Sequence, residues 1–264
     1  MKNLVYCCAF HNRGYEQLVN LLVKSFSNHT HTDTHLLVMC HEDQADNFRN
    51  IFSKHHVKCA DVFICEFDTK FQATCARLNI FSYPAIDQYD KILYIDCDVL
   101  VMNTLDRLFY QQLHDMLYVH SEPFCKWWHW NETFQLPDNH NRPEQGDKAF
   151  TTGMMLFNNT TTIRALFDRI NTHIHEYVQS NDGPDPDHEQ PFIVYHTMLS
   201  HLTHPDKQMI MDNRLLESNN LAMNHTDQHK ASYTEQVLVH FPGSLGEHQP
   251  KLDRMKQFYE QHVI

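Results

Sequence analysis

Residues 92–101 read ILYIDCDVLV, an apolar run broken by two carboxylates, Asp96 and Asp98. Side chains two apart on a strand point to the same side, so both acids face one point in space. Two like charges that close, between apolar flanks, are costly unless something positive sits between them. A divalent metal meets that need. Hard oxygen ligands suit magnesium or manganese, and one imidazole tilts the choice towards manganese. His240 supplies a candidate imidazole, because it ends another short apolar run, VLVHFPG, just before Pro242-Gly243. Asp96, Asp98 and His240 would give three ligands and leave the rest to a diphosphate, whose leaving-group charge a metal neutralises.

Such a set needs strands that end close together. In open α/β sheets, ligands bind beyond the carboxyl ends of the strands. The first 120 residues alternate strand-length apolar runs with helix-periodic segments, which favours a parallel α/β layer of the nucleotide-binding kind. Strands are expected at 4–9, 35–40, 61–67, 91–96 and 116–120, and later at 150–158 and 237–241. Tyr15, Leu18, Leu22 and Phe26 share one helical face, and further helices are expected at 46–54, 74–86, 162–177, 189–200 and 250–262. Segment 121–148 breaks the rhythm, with all three tryptophans, Trp127, Trp128 and Trp130. It is either a packed loop or a substrate-facing wall, since long structured loops tend to carry function. No second-domain boundary or internal repeat is visible, so residues 1–264 read as one domain ending in a C-terminal loop and helix, 241–264.

Composition narrows the partners. The chain has 21 basic and 33 acidic residues, a formal net charge of −12, which leaves no general footprint for nucleic acid or an anionic membrane. The eight cysteines all precede residue 126, form no Cys-Xaa-Xaa-Cys pair and sit partly inside apolar runs, as reduced core residues do. The 22 histidines are scattered without zinc-ligand spacing. No apolar run has transmembrane length, and the expected location is cytoplasmic. Five Asn-Xaa-Thr sequons, starting at Asn28, Asn131, Asn158, Asn159 and Asn224, point weakly the other way.

Residues 75–109, CARLNIFSYPAIDQYDKILYIDCDVLVMNTLDRLF, resemble the centre of the retaining glycosyltransferase family that includes glycogenin and the lipopolysaccharide galactosyltransferases. The resemblance implies a GT-A fold, an α/β class with a mostly parallel central sheet flanked by helices. It implies that Arg77 contacts the diphosphate or nucleoside, Asp96 the metal and ribose, Asp98 the metal, and the Cys97 backbone the ribose. LVYCCAF resembles the family's first strand, which implies backbone contacts from Cys7 and Ala9 to the base. FTTGMMLFN is similar to the strand that touches the donor sugar, implicating Thr151, Thr152 and Gly153. HEQPFIV resembles the pair beneath that sugar, giving Glu189 and Gln190 as catalytic candidates, and HFPG gives His240 and Gly243. The sequence departs from the pattern in having Thr151 for Asn and Glu189 for Asp, which bears on the sugar. Lys251 stands eight residues after Gly243, where the family has its phosphate lysine after three. Either Lys251 serves through a longer loop or it is a surface lysine.

The expected activity is therefore transfer of a hexose from a nucleotide sugar, a UDP-sugar for preference, to a carbohydrate or other hydroxyl acceptor, with Mn2+ or Mg2+ as cofactor. A sugar-nucleotide pyrophosphorylase is the nearest other enzyme, but its phosphate loop is rich in glycine and basic residues, and CCAFHNRGYE holds one of each. A catalytically silent sugar-binding protein would keep the tryptophans and need no metal trio.

Overall fold

The structure is a computed structural model that describes residues 2–10, 12–29, 33–122, 149–180, 188–203, 215–217, 236–242 and 248–262. The chain runs β1 (Asn3–Ala9), α1 (Gly14–His29), β2 (Thr34–Cys40), α2 (Glu42–Lys54), β3 (Ala60–Ile64) and α3 (Lys70–Cys75). After 3-10 turns at Ala76–Ser82 and Ile86–Gln88 come β4 (Lys91–Ile95), β5 (Val99–Val101), α4 (Asp106–Phe109), β6 (Tyr118–Glu122) and β7 (Ala149–Asn158). The remaining elements are α5 (Thr161–Ser180), α6 (Gln190–Leu199), β8 (Leu215–Glu217), β9 (Leu238–His240) and α7 (His248–His262).

Six strands form one sheet in the order β3-β2-β1-β4-β7-β6. The pairs β1–β2, β2–β3 and β1–β4 are parallel, and β7 runs antiparallel to both β4 and β6. The first three strands build outward one way, and β4 then joins the other side of β1. That reversal opens a crevice at the carboxyl ends of β1 and β4. β1, β2, β4 and β7 are buried on both faces, as the inner strands of a helix-covered sheet are, while the edge strand β3 is largely open. Alternation sorts their side chains: Val5, Cys7, Ala9, Leu93 and Ile95 pack in one core with α1, α2 and α7. Leu4, Tyr6, Ile92 and Tyr94 pack in the other with α5, α6 and the 3-10 segment. Asp96 continues the alternation of Tyr94, which sends it to the second side.

The helix expected over 74–86 starts earlier and breaks sooner. Thr69 and Gln72 form a capping box that starts α3 at Lys70, and that Thr-Xaa-Xaa-Gln signal is present in the sequence. The turns that follow end at Tyr83, whose extended backbone (φ −66°, ψ 123°) is what Pro84 imposes on the residue before it. The start of α2 lies at Glu42 instead of Asp46, because the Glu66 carboxylate, distant in sequence, accepts the Glu42 N–H at 3.1 Å. A small second sheet, β5-β9-β8, went unforeseen except for β9.

Three sequon asparagines are committed internally. Their side-chain amides donate to Tyr259 Oη (Asn28), to the Leu113 carbonyl (Asn158), and to the carbonyls of Ile86 and Tyr89 (Asn159), at 2.9–3.0 Å. Attaching a glycan there would break these bonds. Asn131 and Asn224 lie outside the described residues, as do Gly243, Trp127, Trp128, Trp130 and nearly all of segment 121–148.

Candidate active site

Asp96 follows the last residue of β4, and Asp98 precedes the first residue of β5. The 96–98 link thus joins the large sheet to the small one, and the small sheet delivers the histidine. β5 runs antiparallel to β9 with Val99 opposite His240, and the Phe241 N–H donates to the Asp98 carbonyl at 2.8 Å. This pairing sets His240 Nε2 3.3 Å from Asp98 Oδ1 and 3.9 Å from Asp96 Oδ2. One ligand atom from each of the three residues lies within 4.8 Å of the others. Asp98 and His240 are buried, and Asp96 is partly exposed.

Two local facts fit a divalent cation. First, Asp98 Oδ1 is buried and makes no aligned hydrogen bond among the described residues. Burial alone would raise the pKa of Asp98, but His240 and Lys251 outweigh it and hold the carboxyl well below the usual range, so the buried oxygen is charged. A buried anionic oxygen with only a poorly aligned imidazole beside it is expensive unless a cation completes it. Second, a Cβ on Gly153 would lie 2.9 Å from His240 Cε1 and 3.0 Å from Asp96 Oδ2. The Gly153 carbonyl accepts the Asp96 N–H at 2.8 Å, so this strand is pinned against the cluster and only glycine leaves the space open. Two carboxylate oxygens and one imidazole nitrogen suit magnesium or manganese.

Arg77 organises the neighbouring wall. Its Nε lies 3.0 Å from Glu189 Oε1, Nη2 lies 3.3 Å from Asp96 Oδ1, and Nη1 donates to the Thr152 carbonyl at 2.8 Å. The guanidinium stacks 4.4 Å above the Tyr94 ring, and the Tyr94 hydroxyl donates to Asp96 Oδ1. Glu189, just before α6, is 2% exposed and so has Arg77 as its counter-charge. Gln190 Oε1 accepts from Thr152 Oγ1 at 3.2 Å, and Thr151 Oγ1 accepts the Gly153 N–H at 3.3 Å. Lys251, in the first turn of α7, reaches Asp98 Oδ2 at 2.7 Å. It is therefore no surface lysine. The helix that carries it is anchored by buried Leu252, Met255, Phe258 and Tyr259.

A cavity of about 460 Å3 opens over these residues, at the crevice where the strand order reverses. Arg77, Asp96, Cys97, Asp98 and Lys251 line it, as do Cys8, Phe10, Asn12, Tyr15, Lys70, Ala73, Thr74 and Tyr94. Thr151, Thr152, Gly153, Glu189, Gln190 and His240 are not among its lining residues, and they meet that wall through Arg77, Asp96 and Asp98. Cys7 and Ala9 turn their side chains into the core on the opposite face, and their neighbours Cys8 and Phe10 face the cavity. Sequence reasoning missed Tyr94, although strand period puts it on the same side as Asp96. Tyr15 belongs by period to a core-facing helix stripe yet also lines the cavity, and Asn12 carries no signal apart from following β1.

Residues 12–245 match the family model described as glycosyl transferase family 8. No curated protein sequence matches the chain. Among solved structures it is similar to the galactosyltransferase LgtC in complex with donor and acceptor sugar analogs, with a TM-score of 0.60, 16% identity, and coverage of 99% of this chain and 96% of that one. It is also similar to apo GlyE, a glycosyltransferase of Streptococcus pneumoniae TIGR4 (TM-score 0.58, 14% identity, 100% of this chain and 64% of that one). A third is the apo bifunctional WbbM (0.58, 13%, 100% and 52%). The chain thus spans less than two thirds of GlyE and about half of WbbM. At these identities the likeness is one of fold, and it is the GT-A arrangement expected from the sequence.

Proposed function

We propose, on the premise that the chain belongs to glycosyl transferase family 8, that it is a metal-dependent glycosyltransferase moving a hexose from a nucleotide sugar to a hydroxyl acceptor with retention. A UDP-sugar is the donor to try first. The observation that carries this reading is the Asp96, Asp98 and His240 cluster, whose two aspartates line a cavity that also presents Arg77 and Lys251. Asp96, Asp98 and His240 would hold Mn2+ or Mg2+, which when bound supplies positive charge against the diphosphate. Arg77 and Lys251 add donors for the phosphate oxygens, the kind of preorganised electrostatics that favours a charged leaving group. Backbone groups at Cys7, Ala9 and Cys97 serve the base and ribose, with Phe10 and Tyr15 as apolar surfaces. Thr151, Thr152 and Gly153 serve the sugar, and Gly243 the loop beside the phosphates.

Glu189 and Gln190 stand nearest in role to the anomeric centre, yet Glu189 is ion-paired to Arg77 and Gln190 is an amide. Neither is a ready nucleophile. Front-face displacement, in which the departing phosphate takes the acceptor proton, agrees best with that pairing. Segment 121–148 is the proposed acceptor wall of this single domain. The free cysteines among the described residues and the committed sequon asparagines favour the cytoplasm. Among the described residues no helix is long and apolar enough to cross a membrane.

A donor screen with Mn2+ tests the proposal. Release of nucleoside diphosphate supports transfer, and formation of nucleoside triphosphate from pyrophosphate would mark a pyrophosphorylase. Binding of donor without either product would mark a silent sugar-binding protein.

A further inference from the structure

Apart from His240, each carboxylate of the Asp96–Asp98 pair is engaged among the described side chains through one oxygen. Asp96 Oδ1 accepts the Tyr94 hydroxyl and lies 3.3 Å from Arg77 Nη2. Asp98 Oδ2 is taken by Lys251 at 2.7 Å. The other two oxygens, Asp96 Oδ2 and Asp98 Oδ1, are the ones that lie 3.9 Å and 3.3 Å from His240 Nε2. A carboxylate in a cavity can rotate and present either oxygen or both, so something must select. From this split we infer that Tyr94 is a positioning residue for the metal site: its hydroxyl fixes Asp96 Oδ1 and so leaves Oδ2 facing His240.

Tyr94 is well placed for this. It is 1% exposed, and its ring is held edge-on by Tyr6, with centroids 5.0 Å apart. The same ring carries the Arg77 guanidinium on its face. Ring stacking thus aims both groups that hold Asp96 Oδ1, and only the hydroxyl distinguishes Tyr94 from phenylalanine. Tyr6 offers a matched comparison, because it packs in the same stack while its hydroxyl donates to the Arg77 carbonyl at 2.8 Å and not to Asp96.

The inference rests on the metal reading above, and the test separates the two. Mn2+ is titrated into the metal-free protein, and free Mn2+ is read by electron paramagnetic resonance, for the wild type, Tyr94→Phe and Tyr6→Phe. Failure of the wild type to bind Mn2+ defeats the metal reading itself. With the wild type binding, Tyr94→Phe should weaken Mn2+ by about tenfold or more, the range for loss of an outer-shell partner. Tyr6→Phe should stay within about twofold of the wild type, because the hydroxyl it loses touches a backbone carbonyl and no ligand atom. Unchanged Mn2+ affinity in Tyr94→Phe, or equal loss in both variants, overturns the positioning role. So does a Tyr94→Phe protein that no longer unfolds cooperatively in urea, because a hydroxyl whose loss unfolds the chain is holding the fold and not selecting a ligand atom.

Discussion

Gly153→Ala is the sharpest perturbation of the site, because it adds one methyl and removes no polar group. The added Cβ would stand 2.9 Å from His240 Cε1, 3.0 Å from Asp96 Oδ2 and 3.3 Å from His240 Nε2. Ordinary carbon contacts begin near ~3.5 Å, so the imidazole or the carboxylate must move by about half an ångström. The His240 ring is buried at 4% exposure on β9, and Asp96 is tied by Tyr94, Arg77 and the Gly153 carbonyl. Neither can yield without changing the ligand set. Overpacking of this kind costs about 1–3 kcal/mol, and replacing glycine in a strand returns about 0.5–1 kcal/mol of chain entropy. The net change in stability is therefore small, near ~1 kcal/mol. Misplacement of a positioned group by about 1 Å costs roughly a hundredfold in rate, so half that shift should cost about tenfold or more. The expected signature is a split: Mn2+ affinity and donor turnover fall by about tenfold or more, while the urea midpoint moves little. Mn2+ titration by electron paramagnetic resonance, paired with urea unfolding, reads both. A Gly153→Ala protein with wild-type Mn2+ affinity would refute the close-approach reasoning, since the methyl would then have found room without disturbing either ligand.

Asp98→Asn and His240→Ala should each lower turnover by about a hundredfold or more at saturating Mn2+, the scale for losing a principal charge stabiliser; near-normal nucleoside diphosphate release would remove that residue from the site. Lys91→Met should destabilise the fold by about 2 kcal/mol, because the buried ammonium donates to the carbonyls of Phe109 and Gln111 and its loss leaves both without that donor. An unchanged urea midpoint would contradict it. Burial first, then His173 at 2.8 Å and Arg169, lowers the pKa of His196 to about 4. The neutral form's contribution is full above the unfolded value of about 6.5 and is lost as pH falls towards 4, by up to about 1.4 kcal/mol per pH unit. His196→Gln should flatten that acid limb, and parallel urea midpoints for the two proteins between about pH 7 and pH 5 would argue against it.

What the sequence made legible here was whatever its local period encodes. Apolar runs located β1, β2, β4 and β7, and the Asp-Cys-Asp step at the end of one such run, with a histidine at the end of another, located the three residues that the structure brings together. The capping box at Thr69 and Gln72 is local as well, and it marks the start of α3. Other features had no local trace. β5 is three residues long, too short for a period, and its existence depends on β9, more than a hundred residues later. The start of α2 depends on a carboxylate from beyond β3. Lys251 shows the limit most clearly. Its spacing from Gly243 made it a doubtful phosphate ligand, because spacing in a loop constrains reach only when the residue stays in that loop. Here the lysine has passed into α7, and the packing of that helix against α1 decides where the ammonium goes. It goes to the one oxygen of Asp98 that does not face His240. That leaves Asp98 Oδ1 on the His240 side and sets the Lys251 ammonium in the wall of the cavity proposed to take the diphosphate.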